Sequence, residues 1–319
     1  MKLEDIKTIA MYGAGTIGGG FAAYFALKGL NVNVFVRSES SIERAKPKVQ
    51  VAIDTYVKYG LADNGEDIWS RIKWCLDPAE AFTGVYFVQE NGAENVEQKH
   101  QMIEVMEQYL PEDAIIASSS SGTPATLIAS EAKHPERIIV AHPFNPAYLL
   151  PLIEICGGEK TSPEVLELAR QFYKKYDKAP VVLNKEKNGF IANRLMHALW
   201  REEIALVTEG VCSMADADDA WTFGPGIRLA AIGPAMNYEL GGGELGLKGC
   251  AIKFGAMTDA VFADISDMKK VPDTWADQSG DEIGPLMENL PDVIGHTKPQ
   301  IADFRDNVII DVLKMHKRM

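Results

Sequence analysis

The chain reads as an α/β, doubly wound domain followed by an all-α domain. Three observations predict this. Short apolar and β-branched runs alternate with helical stretches over residues 1–186. A glycine-rich turn links the first such run to the first helical stretch. From residue 189 onward the apolar residues recur at helical spacing. Alternation of strands and helices implies a mostly parallel sheet covered on both faces, and a 3.6-residue period alone implies helix packed on helix.

The elements follow in order. Residues 6–12 are an apolar run that ends at Gly13, and they predict the first strand. Residues 20–30 have helical spacing and stop at Gly29. Residues 32–36 are β-branched and aromatic, and predict the second strand. Further strands are predicted at 84–89, 114–118, 138–141, 152–156 and 181–183, with helices at 95–109 and 162–176. A long helix is predicted over 189–213. Phe190, Ile191, Leu195, Ala198, Leu199, Ala205 and Leu206 recur there at spacings of three and four. No strand is predicted beyond 184. The domain boundary is placed near 186, which gives a dinucleotide-sized α/β domain of 1–186 and a helical domain of 187–319.

Composition narrows the function classes. Apolar residues at 46% and charged residues at 24% are those of a globular chain with a core, not of a disordered or fibrous one. With 32 basic and 45 acidic residues, the formal net charge is −13. Such a surface repels phosphate backbones and anionic lipids, so neither nucleic acid nor a membrane is expected as a partner. A basic pocket for one small anion is still compatible with it. Cys75, Cys156, Cys212 and Cys250 are scattered without a CxxC pair, which predicts no metal site and no disulfide framework. Lys2, Glu4, Asp5 and Lys7 make the start unlike a signal peptide, and a cytoplasmic location is expected.

The turn at 13–18 is G-x-G-x-x-G, between a predicted strand and a predicted helix. In that context it predicts a Rossmann-type dinucleotide site. Gly13 allows the tight turn, Gly15 lets a pyrophosphate approach the backbone, and Gly18 lets helix and strand pack closely. Thr16 and Ile17 open the helix, whose free N–H groups and positive end favour the phosphates. An acidic residue at the end of the second strand would bind the adenosine ribose of NAD. Here Val36 stands in that place, followed by Arg37 and Ser38. A guanidinium pairs with phosphate, so NADP is the expected cofactor and NAD the alternative.

The segment IIVAHPFNP leads through a proline-containing loop to LIEIC. Two strands joined in this way lie antiparallel, with His142 ending the first and Glu154 inside the second. Glu154 is the odd member of an apolar run, and a buried carboxylate needs a partner. His142 is the expected one. A carboxylate fixes the tautomer of a histidine and suits it to acid–base work near neutral pH.

Together these segments resemble the 3-hydroxyacyl-CoA dehydrogenase superfamily. Within it the chain is most similar to the branch of λ-crystallin, L-gulonate 3-dehydrogenase and carnitine dehydrogenase. The resemblance rests on GAGTIGGG at the first turn, QENGAENVEQK at 89–99, ASSSSG at 117–122, VAHPFNPAYLLPLIEI at 140–155, GFIANRLMHALWRE at 189–202 and FGPGIRLAAIGP at 223–234. It implies that His142 and Glu154 are the catalytic pair, and that Ser121 and Asn193 help to hold the substrate oxygen. It also implies that Glu94 and Lys99 lie near the nicotinamide ribose, and that a homodimer forms through the helical domain.

Departures from the family sharpen the expectation. Family members usually carry an acidic residue where Val36 stands, and in this respect the chain is closer to ketopantoate reductase. Arg228 matches an arginine of the gulonate and carnitine branches and would suit a free carboxylate. The carnitine branch has aromatic residues after it, where Leu229 and Ala230 stand here, which argues against a quaternary ammonium. The expected activity is hydride transfer between a nicotinamide cofactor and C3 of a small 3-hydroxy or 3-keto acid. A 3-hydroxyacyl-CoA substrate is one alternative, and a non-catalytic, crystallin-like dinucleotide-binding protein is another. The only Tyr-x-x-x-Lys of short-chain dehydrogenase type, Tyr24 and Lys28, falls on the helix after the glycine turn, where it cannot serve catalysis.

Overall fold

The computed structural model describes residues 3–318. The chain divides into two compact units, one running to Ile191 and the other spanning Ala192–Lys317.

The first unit is an eight-stranded sheet in the order β3-β2-β1-β4-β5-β6-β7-β8. Its strands are β1 (Thr8–Tyr12), β2 (Asn31–Phe35), β3 (Ile72–Cys75), β4 (Phe87–Glu90), β5 (Ile115–Ser118), β6 (Ile138–Pro143), β7 (Leu152–Gly157) and β8 (Ala179–Val182). Neighbours from β3 through β6 pair in parallel, and only β6 and β7 pair antiparallel. The order steps outward from β1 in both directions, which puts a topological switch point between β1 and β4. In open α/β sheets, that crevice is where a dinucleotide binds.

Helices α1 (Thr16–Leu27), α2 (Glu39–Lys58), α3 (Glu66–Ser70), α4 (Pro78–Phe82), α5 (Val96–Glu107), α6 (Ala125–Ile128) and α7 (Pro163–Lys175) complete this unit. Both faces of the sheet are filled by aromatic rings. On one, Tyr12 stacks on Phe82 at 6.0 Å, and Phe35 meets both rings. On the other, Phe87 stacks on Phe172 at 3.9 Å, and Phe25 packs beside Phe172. Such pairs add to the burial of the rings themselves.

The sequence pattern does not predict β3, α2 or the short helices α3, α4 and α6. β3 is a short edge strand of four residues with little apolar signal. Helix α2 begins at a Ser38 N-cap that accepts from the Ser41 N–H, and it carries Pro47 within a largely charged stretch. The predicted helix over 189–213 is α8 (Ala192–Thr208), which starts three residues later. Gly189 and Phe190 have φ of 74° and 49°, left-handed values that no right-handed helix accommodates.

The second unit is helical throughout its described residues. It holds α8, α9 (Met214–Trp221), α10 (Ile227–Ala231), α11 (Pro234–Gly241), α12 (Gly246–Asp264), α13 (Trp275–Asn289) and α14 (Lys298–Met315). Ile204, Val207, Met214 and Trp275 form a small core. Helices α11 and α12 cross closely at glycine, since a Cβ on Gly249 would lie 2.3 Å from the Gly242 carbonyl oxygen. Among the described residues, no helix is long and apolar enough to cross a membrane.

Candidate active site

The predicted site residues of the first unit lie at or after the carboxyl ends of β1, β2, β4, β5 and β6, with Glu154 inside β7. At the end of β1, Gly13 turns with φ 87°, and its N–H donates to the Phe35 carbonyl at 2.9 Å. A Cβ on Gly18 would sit 2.2 Å from the Gly13 carbonyl oxygen, whereas Gly15 faces open space. One glycine is required for packing and the other leaves room for a ligand against the backbone. Helix α1 starts at Thr16 with no side-chain cap. Its first N–H groups, including those of Thr16 and Ile17, therefore have neither an intrahelical nor a capping acceptor.

A cavity of about 250 Å³ adjoins this turn. Tyr12, Gly13, Gly15 and Val36 line one side, and Arg37, Ser41, Arg44 and Lys48 bring three cations to it. Arg44 and Lys48 lie one turn apart on α2. Arg44 also donates to the Ser41 hydroxyl at 2.9 Å. No carboxylate is among the lining residues, and Val36 is buried. Ser38 lies just outside this lining. Its hydroxyl is occupied with Ser40 and Ser41, which makes it the cap of α2. The turn, the uncapped helix end and the cationic cavity fit a nicotinamide dinucleotide. Arg37 is legible from the strand end, whereas Arg44 and Lys48 depend on α2, which the sequence pattern does not predict. Their i, i+4 spacing behind a serine cap was the available signal.

His142 and Glu154 are directly opposite in the β6–β7 register, so their side chains share one face. His142 Nδ1 lies 3.0 Å from Glu154 Oε2, and both side chains are buried. Glu154 Oε1 accepts from the Ile191 N–H at 2.8 Å. The imidazole is walled by Phe144, edge-on at 4.9 Å, and by Phe190 at 5.4 Å. With Nδ1 engaged by Glu154, Nε2 is the nitrogen that can exchange a proton with a hydroxyl group. Sequence spacing pointed to the pair but not to the aromatic walls.

The serine loop after β5 is organised by Glu94. Its carboxylate accepts from the Ser120 hydroxyl, from the Thr123 N–H and hydroxyl at 3.0 and 2.7 Å, and from the Ser121 N–H at 3.4 Å. Partial burial works against the charge. The hydrogen bonds from Ser120 and Thr123 and the positive charge of Lys99 outweigh it and hold the carboxyl below its ordinary value. Ser121 itself is exposed at the tip of the loop.

Lys99 is held inside the unit at the ends of β4 and β5. It is 1% exposed, and its Nζ bonds Glu90 Oε2 at 2.8 Å and Ser118 Oγ at 3.3 Å. A buried ammonium without a carboxylate is costly, and Glu90, also 1% exposed, neutralises it inside the unit. Tyr24 and Lys28 are engaged elsewhere. The Tyr24 hydroxyl donates to the Tyr176 carbonyl at 2.6 Å, and Lys28 pairs with Asp177 at 2.7 Å. Asn193 is the second residue of α8, and Arg228 is an exposed residue of α10, so both belong to the second unit.

Residues 8–187 match the 3-hydroxyacyl-CoA dehydrogenase NAD binding domain, and residues 189–279 match the C-terminal domain of the same family. An L-carnitine dehydrogenase of Bacillus cereus is 37% identical over 262 residues, 80% of this chain and 78% of its own length. One from Burkholderia mallei is 38% identical over 253 residues, 79% and 78% of the two chains. The solved structure of an NAD⁺-dependent dismutase, 5-formyl-3-hydroxy-2-methylpyridine 4-carboxylic acid 5-dehydrogenase, superposes with a TM-score of 0.80. It is 28% identical and covers 98% of both chains. The (S)-3-hydroxybutyryl-CoA dehydrogenase of Ralstonia eutropha superposes with a TM-score of 0.64 at 25% identity, over 80% of this chain and 87% of its own. The chain belongs to the 3-hydroxyacyl-CoA dehydrogenase family, and is a dehydrogenase that uses a nicotinamide cofactor.

Proposed function

We propose that the protein transfers hydride between a nicotinamide cofactor and C3 of a small 3-hydroxy or 3-keto acid. The observation that carries this reading is the buried His142–Glu154 pair at the sheet edge that also bears the glycine turn. The bound cofactor supplies the hydride acceptor in oxidation and the hydride donor in reduction. His142 Nε2 takes the hydroxyl proton in oxidation and returns it in reduction. Glu154 fixes the Nδ1–H tautomer and stabilises the imidazolium, in the manner of a histidine held by a carboxylate. Ser121 positions the substrate oxygen, Asn193 assists it, and Arg228 holds a carboxylate. All three roles come from the resemblance alone.

The preferred cofactor in this reading is NADP(H). Arg37, Arg44 and Lys48 offer a 2′-phosphate three cations, and Val36 replaces the carboxylate that would repel it. A homodimer through the helical unit is part of the same reading. Phe223, Leu240, Ile252 and Phe262 are each more than 65% exposed there, and a dimer through this unit would cover such side chains. Size-exclusion chromatography with light scattering tests it, and a monomer at micromolar concentration would refute it.

The deciding experiment is a substrate panel followed by nicotinamide absorbance. It pairs L-carnitine, 3-hydroxybutyrate, L-gulonate, acetoacetate and acetoacetyl-CoA with NAD(H) and NADP(H). Turnover of a free acid, faster with NADP(H), is expected. Turnover of acetoacetyl-CoA alone would move the assignment to acyl-CoA substrates. Tight cofactor binding without any turnover would favour a non-catalytic role.

A further inference from the structure

Lys178 precedes β8 and is 1% exposed. Its Nζ donates to the carbonyl oxygens of Ala147 at 2.7 Å and Leu150 at 3.0 Å. It also lies 3.8 Å from the Tyr24 ring centroid and 5.4 Å from that of Phe21. The two carbonyls belong to the segment 144–151, which links His142 on β6 to Glu154 on β7.

This segment forms no ladder of its own. The N–H groups of Leu149 and Leu150 both turn back to the Pro146 carbonyl. The outward carbonyls therefore need donors from elsewhere, since Ala147 and Leu149 are buried from water. The Tyr56 hydroxyl takes the Tyr148 carbonyl at 2.8 Å, and the Ala179 N–H takes that of Pro151 at 2.7 Å. Lys178 serves the other two. Burial and the nearby charge of Lys28 push its pKa well below the ordinary lysine value. The hydrogen bonds survive either way, because a neutral amine keeps two N–H donors and an ammonium has three.

We infer that Lys178 is a positioning residue for the acid–base pair: it clamps the 144–151 loop and so fixes Phe144 against the His142 ring. Phe144 opens the loop and walls the imidazole edge-on. A loop whose Ala147 and Leu150 carbonyls lose their donor shifts toward water and carries Phe144 with it. Misplacing a reacting group by about 1 Å can cost about 100-fold in rate. The functional half of this inference rests on the proposed role of His142, whereas the clamp itself does not.

The test uses Lys178→Met, which keeps length and apolar bulk but has no donor, in the full-length chain. Hydrogen–deuterium exchange of peptides covering 143–151 should speed up, while a peptide from 163–175 stays unchanged. In the substrate panel, kcat should fall by about 10-fold to 100-fold, with cofactor KM within about 3-fold of wild type. Unchanged exchange at 143–151 would overturn the clamp. Faster exchange with wild-type kcat would overturn its functional role. His142→Ala is run in parallel: if that variant turns over normally, the acid–base assignment fails, and the exchange result still decides the clamp. Should Lys178→Met fail to fold, Lys178→Leu, which also lacks a donor, is read by the same measurements.

Discussion

Glu154 holds two groups at once, the His142 imidazole through Oε2 at 3.0 Å and the Ile191 N–H through Oε1 at 2.8 Å. One carboxylate thus ties β6 to the last residue of the first unit. Replacing it with glutamine keeps a hydrogen-bonding group but loses the charge and allows the wrong imidazole tautomer. In a serine protease triad, the equivalent change lowers kcat by about 10⁴. Glu154→Gln is expected to lower kcat by at least about 100-fold, with cofactor affinity by fluorescence within a few-fold. His142→Ala should do the same. Near-wild-type turnover in either variant would remove the pair from the mechanism.

Phe190 joins strain to function. Its φ of 49° is rare for a bulky residue, yet its side chain is 3% exposed and walls His142. Truncation to alanine removes the ring and leaves the strained backbone. A loss of about 3 kcal/mol is expected in urea unfolding, along with reduced turnover. A loss below about 1 kcal/mol would mean that the site collapses around the missing ring.

Glu94 predicts a pH dependence with a definite sign. Its carboxyl is held below the ordinary value in the folded chain. Its contribution is therefore complete above the unfolded value of 4.5 and is lost as pH falls through the lower folded value. Amide exchange in the 118–124 loop should rise relative to the β5 amides as pH drops below 4.5. Glu94→Gln should show the fast loop at neutral pH and no such acid transition. An acid transition that persists in the variant would place its origin elsewhere.

The cationic cavity makes a cofactor prediction. Charge-assisted hydrogen bonds are worth about 1.5–3 kcal/mol each. Arg37→Ala is therefore expected to weaken NADPH binding by about 10-fold or more, and NADH binding far less. Arg44→Ala and Lys48→Ala should act in the same direction. Added salt should erode the NADPH preference. Equal losses for both cofactors would show that these side chains do not read the 2′-phosphate.

Local signals were strong where one residue type has little alternative. Gly13 and Gly18 read as a phosphate turn because nothing larger fits, and Glu154 stood out as a carboxylate in an apolar run. Signals were weak where packing supplies the information. β3 is held as an edge strand by its pairing with β2, not by its own pattern. The burial of Lys99 is set by Glu90, nine residues earlier on β4, which no local pattern shows.

The sequence by itself determined the alternation of strands and helices, the dinucleotide turn, the pairing of His142 with Glu154 and the family. Each is local, or joins residues a short loop apart. The tertiary structure decided which charges face the cofactor cavity, which are buried as structural pairs, and how Lys178 reaches the loop behind the histidine. Those contacts join segments distant in sequence, and their cost depends on burial. That burial is a property of the packed unit, and no window of residues carries it.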